Sequence, residues 1–129
     1  MPSPPVLVVD DDLDIRETVV QLLEDEGYVV FAAEHGASAL SRLRGIDPPC
    51  VVLLDLFMPV LDGKGFLDRL EAELVQHATR SKVVLLTAAP NGDALLSQVS
   101  PRVMAVLKKP FRVDELLAVV ATAGKRAAG

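Results

Sequence analysis

The sequence predicts an α/β domain with a doubly wound, five-stranded parallel sheet that is covered by helices on both faces. The chain has 129 residues, 50% of them hydrophobic, which suffices for one substantial core. It contains short aliphatic runs without polar alternation, which are typical of strands buried on both faces. Stretches in which apolar residues recur with helical spacing separate these runs. Strands that alternate with helices imply right-handed crossovers and therefore parallel neighbours.

The first strand and the first helix carry clear local signals. The strand is predicted at Val6–Val9, and the helix follows from Leu13 to Glu26. Asp12 is expected to cap the N-terminus of this helix, and Gly27 is expected to end it. An apolar stripe along the helix is formed by Ile15, Val19, Leu22 and Leu23.

The same alternation continues through the rest of the sequence. The remaining strands are predicted at Val29–Ala32, Val51–Leu54, Val83–Leu86 and Val103–Leu107. Apolar stripes of further helices lie at Leu40 and Leu43, at Phe66, Leu67, Leu70 and Leu74, and at Val113, Leu116, Leu117 and Val120. A helix is also expected over 91–99, where proline-containing turn signals on both sides compete with the helical periodicity. We expect one domain over residues 1–129, with its core at about 5–122 and frayed ends.

Composition excludes several classes of protein. The lone cysteine, Cys50, makes neither an internal disulfide nor a thiolate metal cage, and we expect it in the core. A net charge of −5 and an aromatic content of 4% do not suit direct binding of nucleic acid. No apolar run reaches the roughly 18 residues of a membrane span, and the N-terminus lacks the layout of a signal peptide. We therefore expect a cytoplasmic protein without direct nucleic-acid or membrane contacts.

Three polar residues have plain structural interpretations. His35 and His77 show no pattern of partners, and both are expected at the surface. Asp62 precedes a glycine and is expected to cap the helix that follows.

Acidic residues follow two of the predicted strands. Ligands of doubly wound sheets bind outside the carboxyl ends of the strands, which is where Asp10, Asp11 and Asp55 stand. Carboxylates gathered at one edge repel one another, by about 4 kcal/mol per pair at ~4 Å and an effective dielectric constant near 20. A divalent cation would relieve this repulsion. Hard carboxylate oxygens without histidine or cysteine select Mg²⁺, with Mn²⁺ as the alternative, over Zn²⁺.

A Mg²⁺ site points to phosphoryl chemistry, because this ion commonly keeps a place for a phosphate oxygen. The sequence has no glycine-rich phosphate loop, so a bound nucleotide is not indicated. A carboxylate can itself be the nucleophile and form an aspartyl phosphate. Asp55, at the end of a wholly apolar run, is the candidate nucleophile. Lys109 offers a positive charge and Thr87 a hydroxyl at the ends of the later strands.

Four short motifs resemble those of the receiver domain of two-component response regulators. They are Val8–Asp12, Leu54–Pro59 with Asp62-Gly63, Leu86–Ala88 and Lys109–Phe111, in this order and over nearly the whole chain. The resemblance implies the flavodoxin-like strand order 2-1-3-4-5. It also implies that Asp55 accepts a phosphoryl group from a histidine kinase or a histidine phosphotransfer protein.

The resemblance assigns roles to single residues around the metal. Asp11 would bind Mg²⁺ directly and Asp10 largely through water. Asp55 and the backbone carbonyl of Phe57 would complete the protein ligands. Lys109 would pair with a phosphoryl oxygen.

The resemblance further implies how a signal leaves the site. Thr87 would turn toward the phosphoryl group and alter the face formed by the helix at 91–99, the fifth strand and the last helix. The small Ala88 would leave room for the phosphodonor, and the Lys109–Pro110 peptide bond would be cis. The partners would be the phosphodonor and a downstream effector protein whose identity stays open, as does a phosphorylation-dependent homodimer.

The sequence departs from the family pattern at three positions. Val106 stands on the fifth strand where the family usually has an aromatic residue that moves with the threonine. Phe57 and Ala89 stand two residues beyond Asp55 and Thr87, and neither side chain can orient an attacking water. We therefore expect slow self-dephosphorylation and a divergent relay of the signal.

Two other functions compete with the phosphoacceptor. The first is a receiver-like interaction module that works without phosphorylation. Val106 and the irregular segment 91–99 favour this alternative. The presence of all five site residues, Asp10, Asp11, Asp55, Thr87 and Lys109, argues against it. The second is a Mg²⁺-dependent phosphohydrolase resembling the haloacid dehalogenase group. Such an enzyme needs an aspartate two residues after the nucleophile, where Phe57 stands, and a cap domain. We therefore expect a signalling phosphoacceptor that catalyses only its own phosphoryl transfer and dephosphorylation.

Overall fold

A computed structural model of the chain describes residues 3–55, 63–88 and 103–128. The elements in chain order are β1 (Val6–Val9), α1 (Leu13–Asp25), β2 (Val30–Ala33), α2 (Gly36–Arg44), β3 (Val51–Asp55), α3 (Gly63–Glu73), α4 (Val75–Arg80), β4 (Lys82–Thr87), β5 (Val103–Lys108) and α5 (Val113–Ala128). The strands of these ranges form one parallel sheet in the order β2-β1-β3-β4-β5. The predicted fold class and strand order are confirmed. The helix predicted at 91–99, and Phe57, Asp62 and Ala89, lie outside the described residues.

The sheet separates two apolar layers, because alternate residues of each strand point to opposite faces. On one face, α2 and α3 cover the sheet with fully or almost fully buried residues that include Leu40, Leu43, Phe66, Leu67 and Leu70. On the other face, α1 and α5 contribute Val19, Leu23, Leu116, Val120 and Ala123. Each large aliphatic side chain buried in this way contributes about 1.5–3 kcal/mol to folding. The core therefore holds the central strands rigidly from both sides.

The local signals at the first helix act as expected. Asp12 is the N-cap of α1, and its Oδ1 accepts a hydrogen bond of 3.2 Å from the Ile15 N–H. Gly27 has φ +92°, the left-handed region in which a side chain would be strained. The second strand begins one residue later than predicted, at Val30; Val29 just before it is 64% exposed, and its carbonyl accepts a hydrogen bond of 2.9 Å from the Val6 N–H.

The short helix α4 is not among the predicted elements, and it corrects the interpretation of one histidine. His77 on α4 is buried, with 4% of its surface exposed. Its Nε2 lies 2.9 Å from the Leu43 carbonyl oxygen and 2.7 Å from that of Ile46, so Nε2 carries the proton. Its Nδ1 lies 2.9 Å from the Ser81 Oγ. The expectation of a surface position for His77 is wrong, because two carbonyls of a distant segment and the hydroxyl of Ser81 replace water around the ring.

Two other residues near the α2 side of the sheet have structural roles. His35, half-buried, is the N-cap of α2, and its Nδ1 accepts a hydrogen bond of 3.1 Å from the Ser38 N–H. Cys50 is fully buried, as predicted, and burial raises the pKa of its thiol to about 12. None of the helices in the described part of the chain combines the length and the hydrophobicity of a membrane span.

Candidate functional site

Three carboxylates meet at the carboxyl ends of β1 and β3, which are neighbours in the sheet. Asp10 follows β1 directly and Asp55 is the last residue of β3, one step beyond the register pair Val9 and Leu54. The nearest carboxylate oxygens of Asp10, Asp11 and Asp55 all lie within 4.8 Å of one another. The fold thus brings together the three acids that the sequence singles out.

The three acids differ in burial. Asp10 is fully buried and Asp55 is 7% exposed, whereas Asp11 points into solvent. The cluster is therefore open at Asp11 and closed at Asp10. Within the described part of the chain, Asp11 is therefore the member of the cluster that solvent reaches most readily.

Two hydrogen bonds hold the Asp10 carboxylate, one from the turn between β1 and α1 and one from Lys109 after β5. Its Oδ1 accepts one of 2.9 Å from the Asp12 N–H, and its Oδ2 accepts one of 2.8 Å from Lys109 Nζ. A buried carboxylate needs such partners, because an unpaired charge in the protein interior is strongly unfavourable. These bonds give both carboxylate oxygens of the fully buried Asp10 a hydrogen-bond partner.

Lys109 supplies the positive charge of the site from the segment after β5. Its Nζ is 2.8 Å from Asp10 Oδ2 and 3.5 Å from Asp55 Oδ2. Burial acts to lower the pKa of Lys109, but the hydrogen bond and charge of Asp10, together with Asp55, outweigh it and raise this pKa above its ordinary value. The Lys109–Pro110 peptide bond is cis, as the family resemblance implies.

Thr87 ends β4, the strand between Asp55 and Lys109. It is 1% exposed, and its carbonyl accepts a hydrogen bond of 2.7 Å from the Lys109 N–H. In the register of the sheet, Asp55 pairs with Leu86, so Thr87 lies one residue further toward the open edge. Ala88, which follows, is exposed. The five residues expected to form a site therefore lie on the same edge of the sheet.

The donor set fits a hard divalent cation. Among the described residues, the carboxylates of Asp10, Asp11 and Asp55 lie within 4.8 Å of one another, and Lys109 Nζ lies near two of them. Carboxylate oxygens without a nearby imidazole or thiolate suit Mg²⁺ or Mn²⁺ and not Zn²⁺. The backbone carbonyl of Phe57, the further ligand implied by the resemblance, is outside the described residues.

An apolar groove runs beside the acidic cluster, and the sequence analysis did not anticipate it. It has a volume of about 470 Å³ and lies between α1, at Ile15 and Val19, and the segment Lys109–Phe111. Leu13 and Val113, the first residues of α1 and α5, are 53% and 48% exposed. Val113 is thus exposed although the periodicity places it in the apolar stripe of the last helix, and neither Leu13 nor Val113 lines the groove.

Val106 lies on β5 opposite Leu85 of β4 and is half-buried. Its side chain packs against the core layer of α2 and α3. The position where the family usually has an aromatic residue is thus occupied by a small aliphatic side chain that contacts the core.

Comparison with known proteins gives a consistent family. The model of the response regulator receiver domain family matches residues 6–121. The response regulator receiver protein CpdR of Brucella abortus is 34% identical over 122 residues, which cover 87% of this chain and 89% of CpdR. The regulatory protein AtoC of Escherichia coli is 31% identical over 115 residues, or 89% of this chain. The match spans only 24% of AtoC, so this chain covers about a quarter of that relative's length.

Solved structures agree with the sequence comparisons. The CheY-like receiver domain protein of Methanospirillum hungatei superimposes with a TM-score of 0.81 at 27% identity, over 98% of each chain.

Proposed function

The chain belongs to the response regulator receiver domain family of two-component signalling, and on that premise we propose that phosphorylation of Asp55 is its switch. The observation that carries the proposal is the position of Asp55, almost buried, beside two further carboxylates and 3.5 Å from Lys109 Nζ. The domain is proposed to extend over the whole chain, with its core at about 5–122.

In the proposed reaction, an Asp55 carboxylate oxygen attacks the phosphorus of a phosphohistidine. The new O–P bond forms as the P–N bond breaks, and the electron pair leaves with the imidazole, which takes up a proton. Lys109 Nζ lies close enough to Asp55 to pair with a phosphoryl oxygen on it. The Thr87 hydroxyl, one residue beyond the register partner of Asp55, would donate a hydrogen bond to another phosphoryl oxygen. The chain catalyses only this transfer and the later hydrolysis.

Asp10, Asp11 and Asp55 are proposed to hold Mg²⁺, with the backbone carbonyl of Phe57 as a further ligand and Mn²⁺ as an alternative ion. When bound, the ion supplies positive charge that neutralises phosphoryl oxygens and the carboxylates around them. Asp11 is the exposed member of the cluster and is proposed as the direct ligand that first meets the ion. Asp10 keeps its hydrogen bonds and contributes largely through water.

A histidine kinase or a histidine phosphotransfer protein is the proposed phosphodonor. The apolar groove between α1 and the segment Lys109–Phe111 offers such a partner a docking surface directly beside the acidic cluster. Pro110 and Phe111 line one side of this groove and Ile15 and Val19 the other. A cytoplasmic location is proposed with this partner, and the single buried thiol of Cys50 suits a reducing compartment.

A downstream effector protein is proposed to read the state of the face that includes β5 and α5. Movement of Thr87 toward the phosphoryl group would shift the end of β4, which is paired with β5. Val106 cannot relay this shift by an aromatic ring flip, so we propose that it is transmitted by backbone displacement of the two strands. A phosphorylation-dependent homodimer remains one form that the output could take.

The test is the intact mass of the protein after incubation with acetyl phosphate and Mg²⁺. One phosphoryl adduct is expected, and it should be absent without Mg²⁺ and in Asp55→Asn. Asp47→Asn, which changes an exposed aspartate away from the site, is the matched control and should retain the adduct. If acetyl phosphate and a phosphorylated histidine phosphotransfer domain both give no adduct, the chain is a phosphorylation-independent interaction module.

A further inference from the structure

Arg16 lies in the first turn of α1, and its side chain turns back toward the end of β1. Its Nη1 donates a hydrogen bond of 2.8 Å to the carbonyl oxygen of Asp10. The residue is half-buried, and in residues 3–55, 63–88 and 103–128 it makes no ion pair with a carboxylate. The guanidinium group of Arg16 therefore binds a backbone carbonyl oxygen beside the acidic cluster.

The Asp10 carbonyl belongs to the peptide group that joins Asp10 to Asp11. The Asp10 N–H still bonds to the Ala33 carbonyl of the neighbouring strand, at 3.2 Å, whereas its own carbonyl accepts from Arg16. The orientation of this peptide group sets the directions in which the Asp10 and Asp11 side chains leave the backbone. Arg16 thus acts on both carboxylates without touching either one.

We propose that Arg16 is a positioning residue of the acidic cluster: it fixes the Asp10–Asp11 peptide group so that both carboxylates face one divalent cation. This inference rests on the proposed function, in which the cluster binds Mg²⁺. Residues that orient metal ligands through hydrogen bonds typically contribute strongly to metal affinity.

The charge of Arg16 and its proposed positioning role affect the Mg²⁺ affinity in opposite directions. A measured affinity can therefore distinguish the two effects. A positive charge near the cluster repels a cation, so its removal alone would tighten Mg²⁺ binding. Loss of positioning would weaken binding. A weaker affinity in a folded variant can therefore not come from the lost charge.

The experiment titrates the protein with Mg²⁺ alone by isothermal calorimetry, since the chain has no tryptophan to report binding. Arg16→Met is expected to bind Mg²⁺ about tenfold more weakly than the unchanged protein. Arg16→Lys keeps the charge and a donor and should recover most of the affinity. Arg42→Met is the matched control, because Arg42 is exposed and lines the same surface hollow of about 250 Å³ as Arg16. It should bind as tightly as the unchanged protein.

A second readout separates positioning from a general loss of structure. The rate of phosphoryl adduct formation by Arg16→Met should fall at low Mg²⁺ and return to the unchanged rate at saturating Mg²⁺. If Arg16→Met does not fold, Arg16→Gln replaces it in both measurements.

The outcomes are distinct. If Arg16→Met or Arg16→Gln binds Mg²⁺ as tightly as the unchanged protein, or more tightly, Arg16 is not a positioning residue. The proposed function is then unaffected. Absence of Mg²⁺ binding by the unchanged protein overturns the metal assignment and this inference with it.

Discussion

Lys109 binds Asp10 more closely than it approaches Asp55: its Nζ is 2.8 Å from an Asp10 oxygen and 3.5 Å from an Asp55 oxygen. Asp10 is fully buried and the Lys109 side chain is 16% exposed, so this pair is largely shielded from solvent. The lysine therefore lies closer to the buried acid than to the proposed phosphoacceptor.

Removal of Lys109 should destabilise the fold in the absence of metal. Lys109→Met leaves the buried Asp10 carboxylate without its ammonium partner, which we expect to lower the free energy of unfolding by about 3 kcal/mol. Mg²⁺ should restore part of this loss, because the ion binds the folded carboxylates. Urea denaturation with and without Mg²⁺ measures both effects. Lys125→Met, at an exposed position of α5, should stay within about 0.5 kcal/mol of the unchanged protein.

The same pair predicts a loss of stability at alkaline pH. The pKa of Lys109 is raised in the folded state, so the folded protein holds this proton more tightly than the unfolded chain does. The stability that this lysine contributes is fully present below its pKa in the unfolded chain, about 10.4. It is lost as the pH rises through the higher pKa of the folded protein. The free energy of unfolding, measured by urea denaturation, should decrease less between pH 9 and pH 11 for Lys109→Met than for the unchanged protein. Equal drops would contradict the role of this lysine.

Cys50 should be inert toward thiol reagents in the folded protein. Burial raises its pKa to about 12, so the thiolate fraction at pH 8 falls to about 1 in 10⁴. Alkylation by iodoacetamide, followed by mass spectrometry, should therefore be far slower in buffer than in concentrated urea. Rapid alkylation under native conditions would show that the N-terminal end of β3 is open to solvent.

The cap of α2 should depend on an acceptor atom at position 35. His35→Ala removes the Nδ1 that accepts from the Ser38 N–H, and we expect a loss of about 1 kcal/mol of stability. His35→Asn offers an acceptor in a residue that is common at helix N-caps and should be neutral within about 0.5 kcal/mol. Thermal unfolding of the three proteins gives the comparison. A loss of stability in the Asn variant equal to that in the Ala variant would exclude a capping role.

The sequence alone predicts those parts of the fold that depend on local pattern. Continuous aliphatic runs such as Val51–Leu54 predict buried strands, and the strand-end rule then selects Asp10 and Asp55 as neighbours. His77 was predicted wrongly because its partners are carbonyls of Leu43 and Ile46, more than 30 residues away, which no local periodicity reports. Hydrogen bonds of this kind are fixed by how elements pack, and residue spacing carries no record of them.

The role of Arg16 was missed for a different reason. An arginine at a half-exposed helix position is usually a solvated charge, and nothing in the spacing shows that its side chain reaches back to the carbonyl of Asp10. The family motifs likewise give Lys109 a partner on the phosphoryl group but do not reveal its close hydrogen bond to Asp10.

The ion pair at the centre of the site joins residues that are 99 positions apart in the chain. During synthesis, Asp10, Asp11 and Asp55 leave the ribosome well before Lys109 and the last helix that covers β4 and β5. A nascent chain therefore carries an unneutralised cluster of acids until the lysine arrives, and it cannot form the complete site early. The proposed site is therefore complete only in molecules from which Lys109 has left the ribosome and in which β5 has paired with β4.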